Sequence, residues 1–500
     1  MPTSKPRRPF LTLSTATLNL CTTLFFIVLF TIPALFLLRF PSHPIPSSPC
    51  HSPSSSSTTT TSSSSSLAPF SGDLHATRLS WNHLNFNDHL PPHISLRIAV
   101  FSRKWPVSIS PGGMENHAYT LHSTLARRGH RILVFTSPIG VNASTPSLAE
   151  NLPLKVYFPK GQAGKWQPKK AWEKFLEENR KEPFDVIHSE SVALPNSQAK
   201  DWPNVAVTWH GIALESLYSA FYQDLALRKK NVPFSAEFIS SMTGVVPKII
   251  NEIRFFHNYT HHVAISDSCG EILRDVYQIP LERVHVILNG VDEESFYPKD
   301  ADSVAQFRSN LGIPKNATVV LGAAGRLVKD KGHPLLFNAF SNIIKRIPSI
   351  YLVVAGSGPW EERYKELQPN VIVLGPVNAE KLGKFYNSID VLINPTLRPQ
   401  GLDLTLMEAM MCGKPVMAPT YPSIKGSAIV DEEFGFLFQP NVESLVAAID
   451  AVVKEGRERL AQRGRACRDY ANQMFGARKM AMAYERLFHC MKDEKYCVYP

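Results

Sequence analysis

The stretch RPQGLDLTLMEAMMCGKPVMAP, from Arg398 to Pro419, reads as a glycine-bearing loop, an apolar helix, and a Gly-Lys-Pro turn into a short strand. Glu408 stands inside the helix, among Leu404, Leu406, Met407, Ala409, Met410 and Met411. A carboxylate in that company is costly unless something binds it. A helix that follows such a loop can also present free N–H groups to an anion at its N-terminus.

Working outward, the same strand–helix alternation fills the chain. From about Arg97 the strands read RIAVFS, RILVFT, LKVYF, FDVIHS, VAVTWH, HHVAIS and VHVIL, with helices between several of them, such as Lys169 to Arg180 and Cys269 to Val276. NGVDEESFYPKDADS interrupts the pattern as a linker. A second block follows with ATVVLGAAGRL, IYLVVAG, NVIVLG, DVLINP, KPVMAP and FGFLF, and helices over Pro334 to Lys345, Ala379 to Asn387 and Val442 to Val453. Alternating strands and helices predict parallel sheets covered on both faces. The fold class is therefore α/β, with two doubly wound Rossmann-like domains facing a cleft. Their ligands are expected beyond the carboxyl ends of the strands.

Bulk properties fit more than one domain. The chain has 500 residues, 44% hydrophobic and 19% charged, with a net charge of +10 that suits an anionic ligand or surface. No basic run interleaved with aromatics is present, which argues against nucleic acid. Lys5, Arg7 and Arg8 precede an uncharged stretch, and Leu18 to Leu38 is apolar enough to cross a bilayer. A cleaved signal peptide would have a shorter apolar region. The basic residues ahead of the span predict a cytosolic N-terminus and a lumenal body. The Ser/Thr/Pro-rich stretch that follows cannot build a core and reads as a stem. The expected organisation is a cytosolic tail over 1–17, an anchor over 18–38, a stem over 39–94, a first domain over 95–297, a second over 298–475, and a C-terminal helix and tail over 476–500. The sequons at Asn142, Asn258 and Asn316 permit glycosylation in a lumenal compartment. Of seven cysteines, Cys490 and Cys497 are close enough for a small loop; no zinc spacing is present.

Several strand ends carry chemistry. GAAGRLVKDKG puts Arg326 and Lys331 in one turn, a cation pair that suits phosphates or a solvated basic loop. Gly375-Pro376-Val377 ends another strand, where free backbone groups suit a planar base. Glu408 suits two hydroxyls of a ribose, and its apolar neighbours oppose a surface position. Gly112-Gly113 lies between a strand and a helix, where backbone can approach a ligand. His210 ends the strand VAVTWH on the side expected to face the cleft, although a lone histidine there is as a rule structural.

In order, the motifs GGMENHAYTLHSTLARRGH, TWHG, GRLVKDKG, VAGSGP, LGPV and LTLMEAMMCGKPVMA resemble the retaining GT-B glycosyltransferases of family four, from residue 97 to about 490. The resemblance implies a nucleotide-sugar donor, a UDP-sugar first, held mainly by the second domain, and a glycan, lipid or small-molecule acceptor on the first. It implies no cofactor beyond that substrate and no metal. Carried over by position, Arg326 and Lys331 neutralise the donor diphosphate, Glu408 holds the ribose, and Gly375 to Val377 meet the base. Gly112 and Gly113 lie near the phosphates and His210 near the transferred sugar. His210, Arg326 and Lys331 are the catalytic candidates; Gln400, Gly401, Leu402 and Asp403 complete the donor set. With the anchor, this suggests a single-pass type II protein of the Golgi or endoplasmic reticulum.

One departure stands out. The family usually has a glutamate eight positions before Glu408, followed by Gly-aromatic-Gly; here the run is Gln400-Gly-Leu-Asp403. Gln400 can hydrogen-bond a sugar as a neutral group. Asp403 would repel a diphosphate or cap the helix, and capping is the expectation. Two rivals remain: a metal-dependent transferase using Asp300-Ala-Asp302, which reads as linker, and an inactive GT-B scaffold of the secretory pathway, which Gln400 and Asp403 favour.

Overall fold

The computed structural model describes residues 72–73, 94–106, 111–139, 152–227 and 233–499. The expected anchor and stem lie outside the described residues, except for Gly72–Asp73 and position 94. Among the described residues no helix is long and apolar enough to cross a membrane.

Two parallel sheets organise the chain. Gly72–Asp73 (β1) pairs antiparallel with Val498–Tyr499 (β15) as a small accessory ladder. The first sheet has seven strands: β2 (Arg97–Phe101), β3 (Arg131–Phe135), β4 (Leu154–Tyr157), β5 (Val186–Glu190), β6 (Val205–Trp209), β7 (His261–Ala264) and β8 (Val284–Val286). Their order is β4-β3-β2-β5-β6-β7-β8. The second sheet has six: β9 (Val320–Ala324), β10 (Tyr351–Ala355), β11 (Val371–Gly375), β12 (Val391–Ile393), β13 (Val416–Pro419) and β14 (Gly435–Phe438), in the order β11-β10-β9-β12-β13-β14. Every pairing within both sheets is parallel. Such strands need apolar residues on both faces, and β5 and β6 are buried at every position.

The strand order reverses between β2 and β5 in one sheet and between β9 and β12 in the other. These switch points leave a crevice beyond the carboxyl ends, where ligands of doubly wound sheets bind. Glu190 ends β5. The turns that follow β9 and β12 carry Arg326 with Lys331, and Asn394 to Asp403, respectively.

The helices differ from the sequence expectation in three places. Ala213–Leu227 and Ala236–Phe256 form a long pair that the sequence reading does not single out. The helix expected over Val442 to Val453 runs on to Met474, with a break where Gly456 adopts φ 76°. Asp300, read as linker, accepts a hydrogen bond from Ser303 N at 2.8 Å and caps the helix Ala301–Asn310. The Asp-x-Asp letters are thus a helix start.

After the second sheet the chain returns. Helix Ala477–Lys492 packs on the first sheet's side: Tyr484 Oη lies 2.7 Å from Thr208 Oγ1, and Arg128 Nε donates to Glu485 at 2.5 Å. Cys490 and Cys497 are joined by a disulfide. The return is stitched beside the outward crossing, because Val291 N donates to Phe475 O at 2.7 Å and Ala477 N donates to Val291 O at 3.0 Å.

Candidate active site

The helix of the opening stretch runs from Leu404 to Met411. Glu408 is 5% exposed, and the Tyr386 hydroxyl donates to its Oε2 at 2.6 Å. Burial pushes its carboxyl up to about 7; the Tyr386 bond pulls the other way and the Asp403 charge adds to the rise.

Asp403 corrects the capping expectation. It stands at the N-cap position, but its side chain makes no cap hydrogen bond. It forms an ion pair with Lys331 and accepts from Asn394 Nδ2 at 2.9 Å. The Lys331 ammonium, a full positive charge, and the Asn394 amide hold the carboxylate away from the helix N–H groups. Burial opposes the charge, but Lys331, Asn394 and Arg398 bring the carboxyl down to about 2. The turn makes this possible at Gly332, whose φ is 74°; a Cβ there would overlap the Pro395 carbonyl. Arg326, in the same turn, is exposed.

The loop before the helix bridges the lobes. Ser266 Oγ donates to Gln400 O at 2.7 Å, and Arg398 Nη2 donates to Glu215 Oε2 at 2.6 Å. Gln400 is buried with its side-chain oxygen unpartnered. A Cβ on Gly401 would come 2.9 Å from Glu215 Oε1, so a side chain there would have to displace the Glu215 carboxylate. The Leu402 side chain belongs to the core, which leaves its backbone for a ligand. Across the cleft, Gly112 precedes the helix Gly113–Arg127, and a Cβ on Gly113 would touch Leu404 at 4.0 Å. Gly375 adopts φ 68° with open space beside it, and Val377 is buried. The structure therefore brings Gly112, Gly113, Lys331, Gln400, Gly401, Leu402 and Asp403 around one helix start.

His210 stands at the end of β6 beside Glu190, with Nε2 to Oε2 at 2.5 Å. Sequence reading missed what lies behind it. Glu190 is fully buried among His117, His122 and His188 as well. Burial opposes the Glu190 charge, but these imidazoles hold its carboxyl well below the usual range. Burial pushes both His117 and His188 down to about 3. A signal was present: His188 and Glu190 alternate on one face of β5, and Thr208 and His210 alternate on β6, with Glu190 in register with Thr208. Glu215, Arg398 and Tyr386 were missed too, because their partners lie on other elements, and Asn394 because its contact to Asp403 depends on how the loop folds back.

Comparison with known proteins gives the class of the chain. Residues 111–295 match the description Glycosyltransferase Family 4, and residues 304–468 match Glycosyl transferases group 1. The chain belongs to this class of glycosyltransferases and has its GT-B fold. It is 25% identical over 348 residues to a D-inositol 3-phosphate glycosyltransferase of Xylanimonas cellulosilytica, covering 65% of this chain and 79% of that protein. It is 24% identical over 373 residues to an alpha-monoglucosyldiacylglycerol synthase of Streptococcus pneumoniae, covering 72% and 78%. An uncharacterized glycosyltransferase of Methanocaldococcus jannaschii is 27% identical over 220 residues; the match spans 42% of this chain and 55% of that protein. Among solved structures, a sucrose-phosphate synthase of Thermosynechococcus elongatus superposes with a TM-score of 0.59 at 20% identity, over 79% of this chain and 98% of that one. Anabaena Alr3699/HepE in complex with UDP-glucose gives 0.57 at 18%, over 79% and 99%.

Proposed function

We propose that the chain transfers a sugar from a nucleotide-sugar, a UDP-sugar first, to a glycan, lipid or small-molecule acceptor, with retention of anomeric configuration. The observation that carries the reading is the convergence at two switch points. Lys331, the start of the helix Leu404–Met411, and Gly113 from the other lobe surround one position. Arg326 stands in the same turn as Lys331, and Glu408 lies on the same helix. Departure of the diphosphate would be stabilised by Arg326, Lys331 and helix N–H groups, the electrostatic term that enzymes exploit most. Glu408 would hold the ribose, Gly375 to Val377 the base, and His210 the sugar. A neighbour solved with UDP-glucose and a relative named for glucosyldiacylglycerol synthesis support a UDP donor and admit a lipid acceptor. We place the protein in the Golgi or endoplasmic reticulum as a type II protein, on the residues of 1–94 alone.

The inactive scaffold would draw on the Lys331–Asp403 pair, which occupies a cation the donor needs, but the family matches do not favour it. A screen of nucleotide-sugars against the full chain, scoring both binding and hydrolysis, separates the two. The transferase reading expects saturable turnover of at least one donor. Turnover of no donor, whether or not any donor binds, would overturn the transferase reading and leave the scaffold.

A further inference from the structure

Glu190 is fully buried, and among the described residues each of its charge partners is a histidine. Its two oxygens face different neighbours. Oε2 meets His210 at 2.5 Å, too close for both atoms to ligate one ion. Oε1 faces His122 Nε2 at 3.4 Å and His188 Nδ1 at 3.9 Å, and those two nitrogens are 3.1 Å apart. A point equidistant from the three atoms stands about 2 Å from each, the bond length of zinc to imidazole nitrogen or carboxylate oxygen.

A hydrogen-bond network alone leaves this cluster poorly satisfied. His122 Nε2 and His188 Nδ1 are hydrogen-bonded to each other, while Glu190 Oε1, the third of the three atoms, is fully buried and has no hydrogen-bond partner. Buried polar atoms are rarely left so. The outer contacts instead suit ligation. His188 Nε2 lies 2.8 Å from Thr208 Oγ1, which lies 2.7 Å from Tyr484 Oη. A proton on Nε2, donated to Thr208, leaves the Nδ1 lone pair facing the other two ligand atoms, the arrangement that orients metal-bound histidines.

We propose that His122 Nε2, His188 Nδ1 and Glu190 Oε1 bind a divalent transition-metal ion of the zinc class inside the first lobe. Two imidazoles and one carboxylate are a donor set that zinc favours. The ion would join the helix Gly113–Arg127 to β5, and so fix the helix that follows the Gly112-Gly113 loop. Glu190 would carry the ion on one oxygen and His210 on the other. The effect on His210 rests on the proposed transferase reading; the site itself does not.

The test is the metal content of the full chain, purified without a polyhistidine tag and dialysed against metal-free buffer. About one zinc per chain is expected. His122→Gln and His188→Gln should each fall below about a tenth of that. His130→Gln, in the separate cluster with Glu485 and His489, should keep its metal. Cobalt loaded in place of zinc should give visible absorption from the bound ion, and His188→Gln should lose it. Should the variants fail to fold, the wild type decides: a chelator should lower its thermal midpoint, and zinc should restore it. A metal-free wild type whose midpoint ignores added zinc overturns the proposal, as does a folded His188→Gln that retains zinc. Metal content is read without any sugar transfer, so its failure leaves the transferase reading standing.

Discussion

Asp403 and Glu408 sit about one and a half helical turns apart and, although burial opposes the charge of both, carry opposite shifts. Asp403 has cations beside it and stays charged; Glu408 has a phenol and another carboxylate, and holds its proton to about 7. In the unfolded chain Glu408 would lose that proton near 4.5. The folded state therefore binds more protons between pH 4.5 and 7. The stability from the neutral form is whole below 4.5 and is lost as pH rises through 7. The loss is about 3 kcal/mol at most. Thermal midpoints between pH 5 and 8 should fall for the wild type and stay flatter for Glu408→Gln. An identical slope in both would show that Glu408 is not the group responsible. Asp403→Asn frees Lys331 and removes a negative charge beside the proposed diphosphate. Affinity for a nucleoside diphosphate, by calorimetry, should rise about fivefold, roughly 1 kcal/mol. A fall instead would make Asp403 a ligand. The sequence disclosed that Asp403 departs from the family pattern. It could not disclose the partner, because Lys331 lies on another loop and meets Asp403 only through the Gly332 turn.

At the scale of elements, the thirteen strands of the two sheets are all legible in advance, since most are written as short β-branched and apolar runs between helices, although β5 (VIHSE) and β7 (HHVA) carry polar residues. The helix pair Ala213–Leu227 and Ala236–Phe256 is not. Pro247 stands inside the second helix and reads as a breaker. The histidines about Glu190 escape for another reason, since three elements contribute them. The first of the paired helices reaches the other lobe through Glu215. Glu215 is 2% exposed, and its cation is Arg398. Arg398→Met should leave that carboxylate buried and unpaired, at a cost of about 3 to 5 kcal/mol in denaturant unfolding. Adding Glu215→Gln should recover most of it. A double variant as unstable as the single one would mean that Arg398 acts through packing alone.

For the whole molecule, the last helix decides whether the first lobe is covered. Ala477–Lys492 buries Met480, Tyr484, Leu487 and Phe488, among others. That apolar burial is on the order of 10 kcal/mol, comparable to the full stability of a domain. A chain ending at residue 475 should yield no soluble folded protein, as judged by expression and gel filtration. Recovery of a monomer with an unchanged thermal midpoint would show the helix to be peripheral.

The outward crossing near Val291 and the return near Phe475 and Ala477 are hydrogen-bonded side by side. Mechanically, the lobes hang on a double pin and not on a single thread. Two adjacent pivots define one axis. Swinging about that axis needs only small changes at both crossings, whereas torsion or sliding of one sheet over the other must break the bonds between them. A hinge opening of the cleft would then follow one arc, and it would have to break the Ser266–Gln400 and Arg398–Glu215 contacts that bridge the lobes.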